Sequence, residues 1–556
     1  MIHTTVDRTA VLRLRPIVHA SPIPDGIHVR GAQSSFTMNG APVLWRLWQA
    51  VSVALAGGRS YEQLLDTAPN PSVRTAMTML MQQLHEHDML VEVPPGWGES
   101  GDPAEPPQRI AGWLAAVAPD PVRAWERIRS AAVGVDGTGP VAAAGARALA
   151  AAGVNLLPPD RRGQDPGTPV VLSAGEVSVA AAVGGDVGFV TPTGTSASVH
   201  RDAGMIGDRI GLPAGRPSAA VLAALVGGAA AHRLVCDIAG LPDPGADTLA
   251  SSPPTLDHPT VLVARLDPLT AEYHPWWGSA EPDRPTGSAD LDTALTGAEA
   301  LSDPETGVLP VLEVDDLPQL PVGLARCRIG DTVVCGIGPN TAMARLSCAT
   351  GAAEHLIVLN GGAPAVVGAG SRHAEGVLLR RLVHAGHPQP EGTATEEWAL
   401  SPDARRWFKT VTLRFGTRAD LRVHRLAPGV HHAELRSETA LLGWAVESTA
   451  ADAAAFCALT AAGTLQWRAA GGDPAALPAA PCGAVPGPAA DPPGTAPRQA
   501  HPWTWPADAS EREEALQRAL RQLLGTGAAS ATPVTPESGL SRALAVAGFV
   551  TLEAAP

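Results

Sequence analysis

Lysine is almost absent from this sequence of 556 residues: Lys409 is the only one, and arginine supplies the rest of the positive charge. A Walker A phosphate loop requires a Gly-Lys-Ser/Thr sequence, and none occurs, so this class of nucleotide site is excluded. The formal net charge is −15. Proteins that grip nucleic acid usually present a basic face, so the charge balance also argues against that class of partner.

Cysteine is scarce as well. The six cysteines include no Cys-x-x-Cys pair, and a structural zinc site normally needs such closely spaced ligands. We therefore expect no metal in this chain. The N-terminal sequence MIHTTVDRTAVLRLRP lacks an apolar signal segment, and no stretch reads as long and apolar enough to span a bilayer. These absences predict a cytoplasmic protein with reduced thiols.

The chain is too long for one hydrophobic core, and Pro- and Gly-rich segments divide it. Hydrophobic residues make up 45% of the sequence, an ordinary globular proportion. We expect an α/β multidomain protein with linkers at residues 94–109 and 276–302. The three folded domains then cover residues 1–93, 110–275 and 303–556.

Residues 1–93 predict three short strands, then three helices and a last strand. Alternating apolar residues bounded by Pro and Gly indicate the strands, and apolar residues at helical spacing indicate the helices. The strands lie at 11–16, 26–31 and 33–40, the helices at 41–57, 61–68 and 71–90, and the last strand at 89–93. This order is typical of a small winged-helix domain.

A winged helix raises the alternative of a DNA-binding regulator. In residues 1–93, however, seven arginines are balanced by seven acidic residues, which leaves little attraction for phosphate. An extended peptide added to an edge strand fits better, because the segment 33–38 has no proline and its backbone groups are able to pair.

The last helix of this domain carries two neighbouring stripes of side chains. Helical spacing directs the first stripe to the core, and the second stripe is half apolar and half polar. Such a composition suits a peptide groove, and partial burial at a domain interface is an equally supported alternative. The first stripe is Val73, Met77, Leu80 and Leu84, and the second is Arg74, Thr78, Met81 and His85.

This domain resembles the recognition element of systems that modify ribosomally made peptides, a winged-helix module that binds the leader of the precursor peptide. The resemblance places the groove between the third strand and the third helix. Leader peptides are often acidic, which singles out Arg74. The implied leader-binding residues are Ser34, Phe36 and Met38 on the strand and Arg74, Thr78 and Met81 on the helix.

The middle domain begins with a strand, a glycine turn, a helix and a strand over residues 131–157. Gly134, Gly137 and Gly139 resemble a dinucleotide fingerprint. The turn runs into Pro140, however, and no acidic residue ends the next strand, so a ribose would lack its usual carboxylate partner. We interpret the glycines as a tight turn that packs helix on strand.

The rest of this domain resembles the ThiF-like domain of azoline-peptide cyclodehydratases. A long apolar helix at 218–241 precedes the sequence Val-Ala-Arg-Leu-Asp-Pro-Leu-Thr at 263–270, as in that family. The family has a cysteine-containing region before the helix, whereas residues 199–215 contain no cysteine. The resemblance therefore implies a scaffold without a zinc site or a catalytic cysteine.

The last domain resembles a YcaO domain, the ATP-dependent enzyme that activates a backbone amide oxygen. Gly336-Ile-Gly338 matches the family, but Gly351 replaces a glutamate and His355 an arginine of its Glu-Ala-x-Glu-Arg motif. The helix from Gly368 through Arg380-Arg381 also lacks the acidic pair. Because magnesium needs hard oxygen ligands, the resemblance implies a degenerate domain without ATP.

These resemblances imply a non-catalytic subunit of a cyclodehydratase. It would bind the leader of a precursor peptide and present the core to a separate YcaO enzyme, which would hold ATP and magnesium and form thiazolines or oxazolines in thiopeptide or azole-peptide biosynthesis. No catalytic residue and no cofactor are assigned to this chain, and a hetero-oligomer is expected. One alternative is that the chain is itself an ATP-dependent cyclodehydratase, and another is the winged-helix DNA-binding regulator.

Two further patterns have a structural and a functional interpretation. His431-His432 with Glu434 suggests metal binding, but adjacent histidines on a strand point to opposite faces, which favours a solvated hairpin. Trp276-Trp277 lies in a Pro-rich segment, where packing of the loop and anchoring of a partner surface are equally supported.

Overall fold

The chain divides into two compact units. The first contains Met1–Ala203, Leu212–Asp247 and Ala264–Thr270, and the second contains Gly204–Gly211, Thr248–Val263 and Ala271–Pro556. A computed structural model describes residues 10–32, 34–40, 43–98, 104–158, 168–213, 216–246, 259–278, 291–387, 393–473, 476–479, 483–484, 509–525, 531–533 and 539–554.

The N-terminal part of the first unit follows the predicted order of elements closely. Its elements are β1 (Val11–Leu14), β2 (His19–Ile23), β3 (Gly26–Arg30), β4 (Ser35–Asn39), α1 (Val43–Ala56), β5 (Arg59–Ser60), α2 (Tyr61–Asp66), α3 (Pro71–Glu86) and β6 (Leu90–Glu92). Strands β2 and β5 were not expected. The strands form two antiparallel sheets, in the orders β5-β1-β6 and β2-β3-β4.

Local signals explain where these helices begin. Ser60 caps α2 in a reciprocal capping box with Gln63. Asn70 caps α3, and Pro71 occupies its first turn, where the missing N–H costs nothing. Apolar residues of β3, α1 and α3 then form one core, in which Ile27 and Leu84 are fully buried.

Arg15 ties this part to the next helix of the same unit. Arg15 is 4% exposed, and its guanidinium donates to the carbonyls of Asp88, Ala115 and Ala118 at 2.9–3.1 Å. Trp97, in the segment predicted as a linker, is 4% exposed and donates to the carbonyl of Ala111. Trp97 therefore packs into the unit, whereas Pro94, Pro95 and Ala104 of the same segment are exposed.

The rest of the first unit is built on an α/β sheet with the strand order β11-β10-β9-β7-β8. The elements are α4 (Gln108–Val117), α5 (Pro121–Ser130), β7 (Ala132–Asp136), α6 (Pro140–Ala152), β8 (Asn155–Leu156), β9 (Val170–Ala174), β10 (Val177–Gly184), β11 (Val187–Val190), α7 (Ser196–Arg209), α8 (Ala220–Ala239) and the hairpin β12 (Thr260–Leu266) and β13 (Leu269–Pro275). Helix α7 and the hairpin carry residues of both units.

The glycine turn before α6 is a packing device. Gly137 and Gly139 have φ angles of 136° and 92°, which side-chain-bearing residues rarely adopt. A Cβ at Gly137 would also come within 2.9 Å of Val170. Steric needs of the turn therefore account for these two glycines without a nucleotide.

Helix α8 is long and apolar enough to cross a membrane by length and composition alone, so the expectation that no stretch reaches this limit is wrong. More than half of its most apolar window is buried. Near its middle, Arg233 is 1% exposed, pairs with Asp243 at 2.7 Å and donates to the carbonyl of Thr191. A buried, paired arginine is what the core helix of a globular unit accommodates.

The described residues of the second unit form three small sheets, in the orders β14-β15-β21, β16-β23-β22 and β17-β18-β19-β20. Its strands are β14 (Gly323–Ile329), β15 (Thr332–Gly338), β16 (Ala365–Ala369), β17 (Thr393–Ala394), β18 (Ala419–Ala427), β19 (Val430–Ser437), β20 (Leu441–Glu447), β21 (Leu477–Ala479), β22 (Ala531–Pro533) and β23 (Phe549–Ala554). Its helices are α9 (Leu291–Leu301), α10 (Thr341–Leu359), α11 (Ser371–Gly386), α12 (Pro402–Lys409), α13 (Ala450–Ala469), α14 (Ala509–Leu524) and α15 (Gly539–Val546).

Helices α10 and α13 approach the strands beneath them at glycine. A Cβ at Gly336 of β15 would lie 2.1 Å from the carbonyl oxygen of Ala344, and a Cβ at Gly443 of β20 would lie 2.5 Å from that of Cys457. The Gly-x-Gly sequence at 336–338 therefore serves helix-on-strand packing in this unit.

One expectation for this unit needs correction, and one pair of alternatives is decided. The described part of the segment 276–302, predicted as a linker, contains α9, and Leu301 in it is fully buried. Trp276 and Trp277 are each 2% exposed, so they pack inside the unit rather than anchor a partner.

Candidate functional sites

Strand β4 is an edge strand: among the described residues, only β3 pairs with it. Two hydrogen bonds fix its orientation, because Gly31 N donates to Ser34 O at 2.9 Å and Gly40 N donates to Asp25 O at 2.7 Å. Along an antiparallel strand, the N–H and C=O groups of successive residues point alternately to one side and to the other. The backbone groups of the even-numbered residues of β4 therefore point towards β3. The groups that point away, which we call the outer edge of β4, are the N–H and C=O of Ser35, Thr37 and Asn39.

The opposite edge of this sheet is blocked. Strand β2 carries Pro22, which lies opposite Ile27 in the register. Because Ile27 bonds towards β4, the nitrogen of Pro22 faces outward and has no hydrogen to donate. Proline is a common device against pairing at an exposed edge. The outer edge of β4 is therefore the one suited to receive a peptide strand.

The three strand residues predicted to bind a leader have backbone groups that point towards β3 and not to the outer edge. Phe36 and Met38 lie in β4, and Ser34 precedes it. Ser34 donates to the carbonyl of His87 at 3.0 Å. Phe36 is 7% exposed and stacks on the ring of His87, with ring centroids 5.1 Å apart. Met38 is half-buried against the core. The side chains of these three residues therefore make contacts within the domain, whereas the outer edge of β4 offers only backbone N–H and C=O groups for pairing.

The three predicted helix residues differ in exposure. Arg74 is exposed and pairs with Asp66 at 2.9 Å. Thr78 is half-buried and donates to the carbonyl of Arg74. Met81 is 1% exposed and belongs to the core.

The six residues do not form a single cluster. Ser34 and Phe36 meet His87 at the C-terminal end of α3, whereas Arg74 lies in the first turn of this helix. A thirteen-residue separation corresponds to about 20 Å along a helix axis. An extended peptide of about six residues spans that distance. The contact of His87 with both strand residues was not predicted, because a histidine at a helix end is explained by the helix dipole alone.

The second unit contains a cavity of about 640 Å³, a size typical of small-molecule sites. The positions that the sequence singled out in the YcaO-like segment come together here. Residues 351, 354, 355, 380 and 381 all line the cavity, as do Trp444 and Arg468.

The carboxylate of Glu354 in this cavity is already engaged. It accepts hydrogen bonds from Arg381 Nη1 at 2.9 Å and from Val367 N at 3.1 Å. Burial raises the pKa of Glu354, and the Arg381 guanidinium opposes that rise. Apart from Glu354, Asp473 is the acidic residue among the described lining residues.

Arg380 forms a buried ion cluster. It is 1% exposed, and its Nη2 lies 2.8 Å from Glu447 Oε2 and 2.7 Å from Glu513 Oε2. Burial raises the pKa of Glu447 despite the Arg380 charge. Burial also acts to raise the pKa of Glu513, but Arg380 and Gln517 outweigh it and the pKa is lowered. This cluster joins α11, β20 and α14 from inside.

His373 lies beside that cluster. Its Nδ1 accepts a hydrogen bond from the backbone N–H of Ala369 at 3.0 Å. Burial lowers the pKa of His373 to about 4, although the Glu513 carboxylate acts to raise it. The buried ring is therefore neutral at pH 7.

A second group of histidines lies on β19. His432 is fully buried and Glu434 is 8% exposed, so the expected solvated hairpin is wrong at these positions. They share one face of the strand, and His384 of α11 approaches them from the side. His431 points the other way and bonds the carbonyl of Ser448. His384, the third residue of the group, is 48 positions from His432 in the sequence. No local sequence pattern therefore connected it with the other two.

Comparisons with known proteins give distant matches. No family model matches the chain, and no curated protein matches it. A solved heterocyclase in complex with substrate and cofactor has a TM-score of 0.46 and 12% identity, covering 82% of each chain. E. coli MccB with ATP has a TM-score of 0.33 and 12% identity, covering 48% of this chain and 96% of that one. The microcin C7 biosynthetic enzyme MccB with N-formylated MccA has a TM-score of 0.32, 12% identity and the same coverage. Likenesses of this extent do not establish a shared activity.

Proposed function

We propose that this chain binds the leader of a ribosomally made precursor peptide and presents its core to a separate ATP-dependent YcaO cyclodehydratase, which forms the thiazolines or oxazolines of a thiopeptide or azole peptide. The outer edge of β4 carries the proposal. It offers three N–H and three C=O groups to an extended peptide, while the competing edge at β2 is blocked by Pro22.

Backbone pairing alone does not give tight binding. A hydrogen bond contributes about 0.5–1.5 kcal/mol net, so six of them contribute about 6 kcal/mol, and association itself costs at least about 4 kcal/mol. Micromolar affinity requires about 8 kcal/mol. Side chains must supply the rest, and the exposed Arg74 offers a charge to an acidic leader.

The chemistry would belong to the partner enzyme. In the second unit, the carboxylates of Glu354, Glu447 and Glu513 are occupied by arginines, which leaves them poorly suited to hold magnesium. Binding and presenting the peptide would need no cofactor in this chain. Holding the leader keeps the core of the peptide at an effective concentration of about millimolar near the partner, in a cytoplasmic hetero-oligomer.

The cavity of about 640 Å³ favours a second candidate function, in which the chain is itself an ATP-dependent cyclodehydratase. Peptide-stimulated hydrolysis of ATP by the isolated chain would support it. We expect none, because Glu354 is committed to Arg381 and Val367.

The first test is fluorescence polarisation with a labelled leader peptide, taken from the precursor encoded beside the gene. We expect wild type to bind at micromolar concentration or tighter, and Arg74→Glu to weaken binding at least tenfold, about 1.4 kcal/mol. The substitution replaces attraction for an acidic leader with repulsion and breaks the pair with Asp66.

The matched control is Arg123→Glu, which makes the same charge change at an exposed position in the first turn of α5, where an acidic residue suits the helix dipole. It should bind like wild type. Equal weakening by both variants would indicate general charge attraction, and absence of binding by wild type would overturn the proposal.

A further inference from the structure

Three ligand-type side chains converge in the second unit. The ligand atoms of His384, His432 and Glu434 all lie within 4.8 Å of one another. Nδ1 of His384 is 2.9 Å from Nε2 of His432. The histidines are on different elements, α11 and β19, so the fold rather than local sequence brings them together.

The positions of these side chains are fixed by their surroundings. Strand β19 is paired on both sides, by β18 and β20, and His432 and Glu434 lie two residues apart on its one face. Trp444 stands opposite Glu434 in the register. Its ring stacks on His384, with centroids 4.0 Å apart and planes within 3°. Such rigid support is what a preorganised ligand set requires.

The histidine at the centre of this cluster has a single hydrogen-bond partner among the described residues. His432 is fully buried, and its Nε2 is hydrogen-bonded to His384 Nδ1 at 2.9 Å. Nδ1, on the other side of the ring, has no partner, so no second hydrogen bond holds the ring in place. Arg436 Nε donates to Oε2 of Glu434 at 2.8 Å, and no described residue is hydrogen-bonded to its Oε1.

We propose that His384, His432 and Glu434 form a binding site for a divalent transition-metal ion of the zinc class. Two imidazoles and one carboxylate are the ligands that such ions prefer. Three protein ligands leave a fourth position open for water or another group. The ion would fasten α11, which carries Arg380 and Arg381, to the β18–β19–β20 sheet.

The present geometry is close to that of a bound site. With zinc–nitrogen distances of about 2.0–2.1 Å, two nitrogens of a tetrahedral site lie about 3.3 Å apart. The observed 2.9 Å between the two nitrogens is a hydrogen bond, which the ion would replace while small side-chain rotations move the nitrogens apart by a few tenths of an ångström.

The test uses the full chain, freed of metal with a chelator and titrated with Zn²⁺ in a calorimeter. We expect one ion per chain at micromolar affinity or tighter, and at least tenfold weaker binding by His384→Gln and by Glu434→Gln. Cobalt gives a spectroscopic signature, and its bands should indicate nitrogen and oxygen ligands. Circular dichroism of the metal-free variants checks that they fold.

His431→Gln is the matched control, because the neighbouring histidine lies on the other face of β19 and bonds Ser448. It should bind Zn²⁺ like wild type. The proposal is overturned if wild type binds no ion, or if binding is unchanged in both ligand variants. A thiolate-to-cobalt band would also overturn it, since it would place the ion at cysteine.

Discussion

Arg380→Met is expected to destabilise the second unit by about 3–5 kcal/mol, because it leaves two buried carboxylates without their counter-charge. Glu447 and Glu513 have side chains 5% and 8% exposed, and both pair with Arg380. Methionine keeps most of the length of arginine, so the loss reports the missing charge rather than a large cavity. Urea unfolding at pH 7, followed by tryptophan fluorescence and circular dichroism, measures it.

Arg422→Ala provides the contrast. Arg422 pairs with Asp420 on the surface of β18, where the two side chains are 71% and 62% exposed. Exposed pairs of this kind contribute about 0–1 kcal/mol. If the two variants lose similar amounts of stability, the Arg380 cluster is not the internal fastener that its burial indicates.

Lowering the pH from 7 to 4 is expected to reduce the free energy of unfolding by about 3 kcal/mol through His373 alone. Burial lowers the pKa of His373 in the folded chain to about 4, against an ordinary value of 6.5. Between these values the unfolded chain binds the proton and the folded chain does not. The contribution of His373 to the free energy of unfolding is therefore fully present above pH 6.5, decreases as the pH drops, and is largely lost near pH 4.

The geometry at His373 explains the direction. Its Nδ1 accepts the Ala369 N–H, and a proton on that nitrogen would turn the acceptor into a donor. An asparagine oxygen can accept the same bond without titrating. Urea unfolding at pH 7 and pH 5 should therefore show a smaller pH effect in His373→Asn than in wild type. The same pH effect in both proteins would assign the loss to other groups.

The sequence was most informative where structure is local. Helix α3 was predicted because Pro71 at its start and the spacing of its apolar residues both lie within the helix itself. Strand β2 was missed because it is short and contains Pro22, which is tolerated only because it lies at an edge.

The candidate sites depend on contacts between distant parts of the chain. Arg380 meets Glu513 across 133 residues, and His384 meets His432 across 48. No periodicity or spacing predicts such pairs, since they arise when separate helices pack on one sheet. The strand of the predicted leader groove also depends on a contact that the sequence does not reveal. The sequence predicted the strand, but only its register with β3 shows that the backbone groups of Ser35, Thr37 and Asn39 point away from the sheet.

The central claim, that a leader peptide pairs with the outer edge of β4, is tested most directly by proline substitution at the two edges of one sheet. Thr37→Pro removes an outward N–H from β4 without breaking its backbone hydrogen bonds to β3, although it loses the exposed side-chain hydrogen bond between Thr37 and His28. Ala20→Pro removes an outward N–H from β2 and keeps the backbone hydrogen bonds of that strand to β3. In fluorescence polarisation with the labelled leader, we predict at least tenfold weaker binding by Thr37→Pro and unchanged binding by Ala20→Pro, with both variants folded by circular dichroism. Equal affinity of all three proteins, or weakening by Ala20→Pro alone, would contradict recognition at this edge.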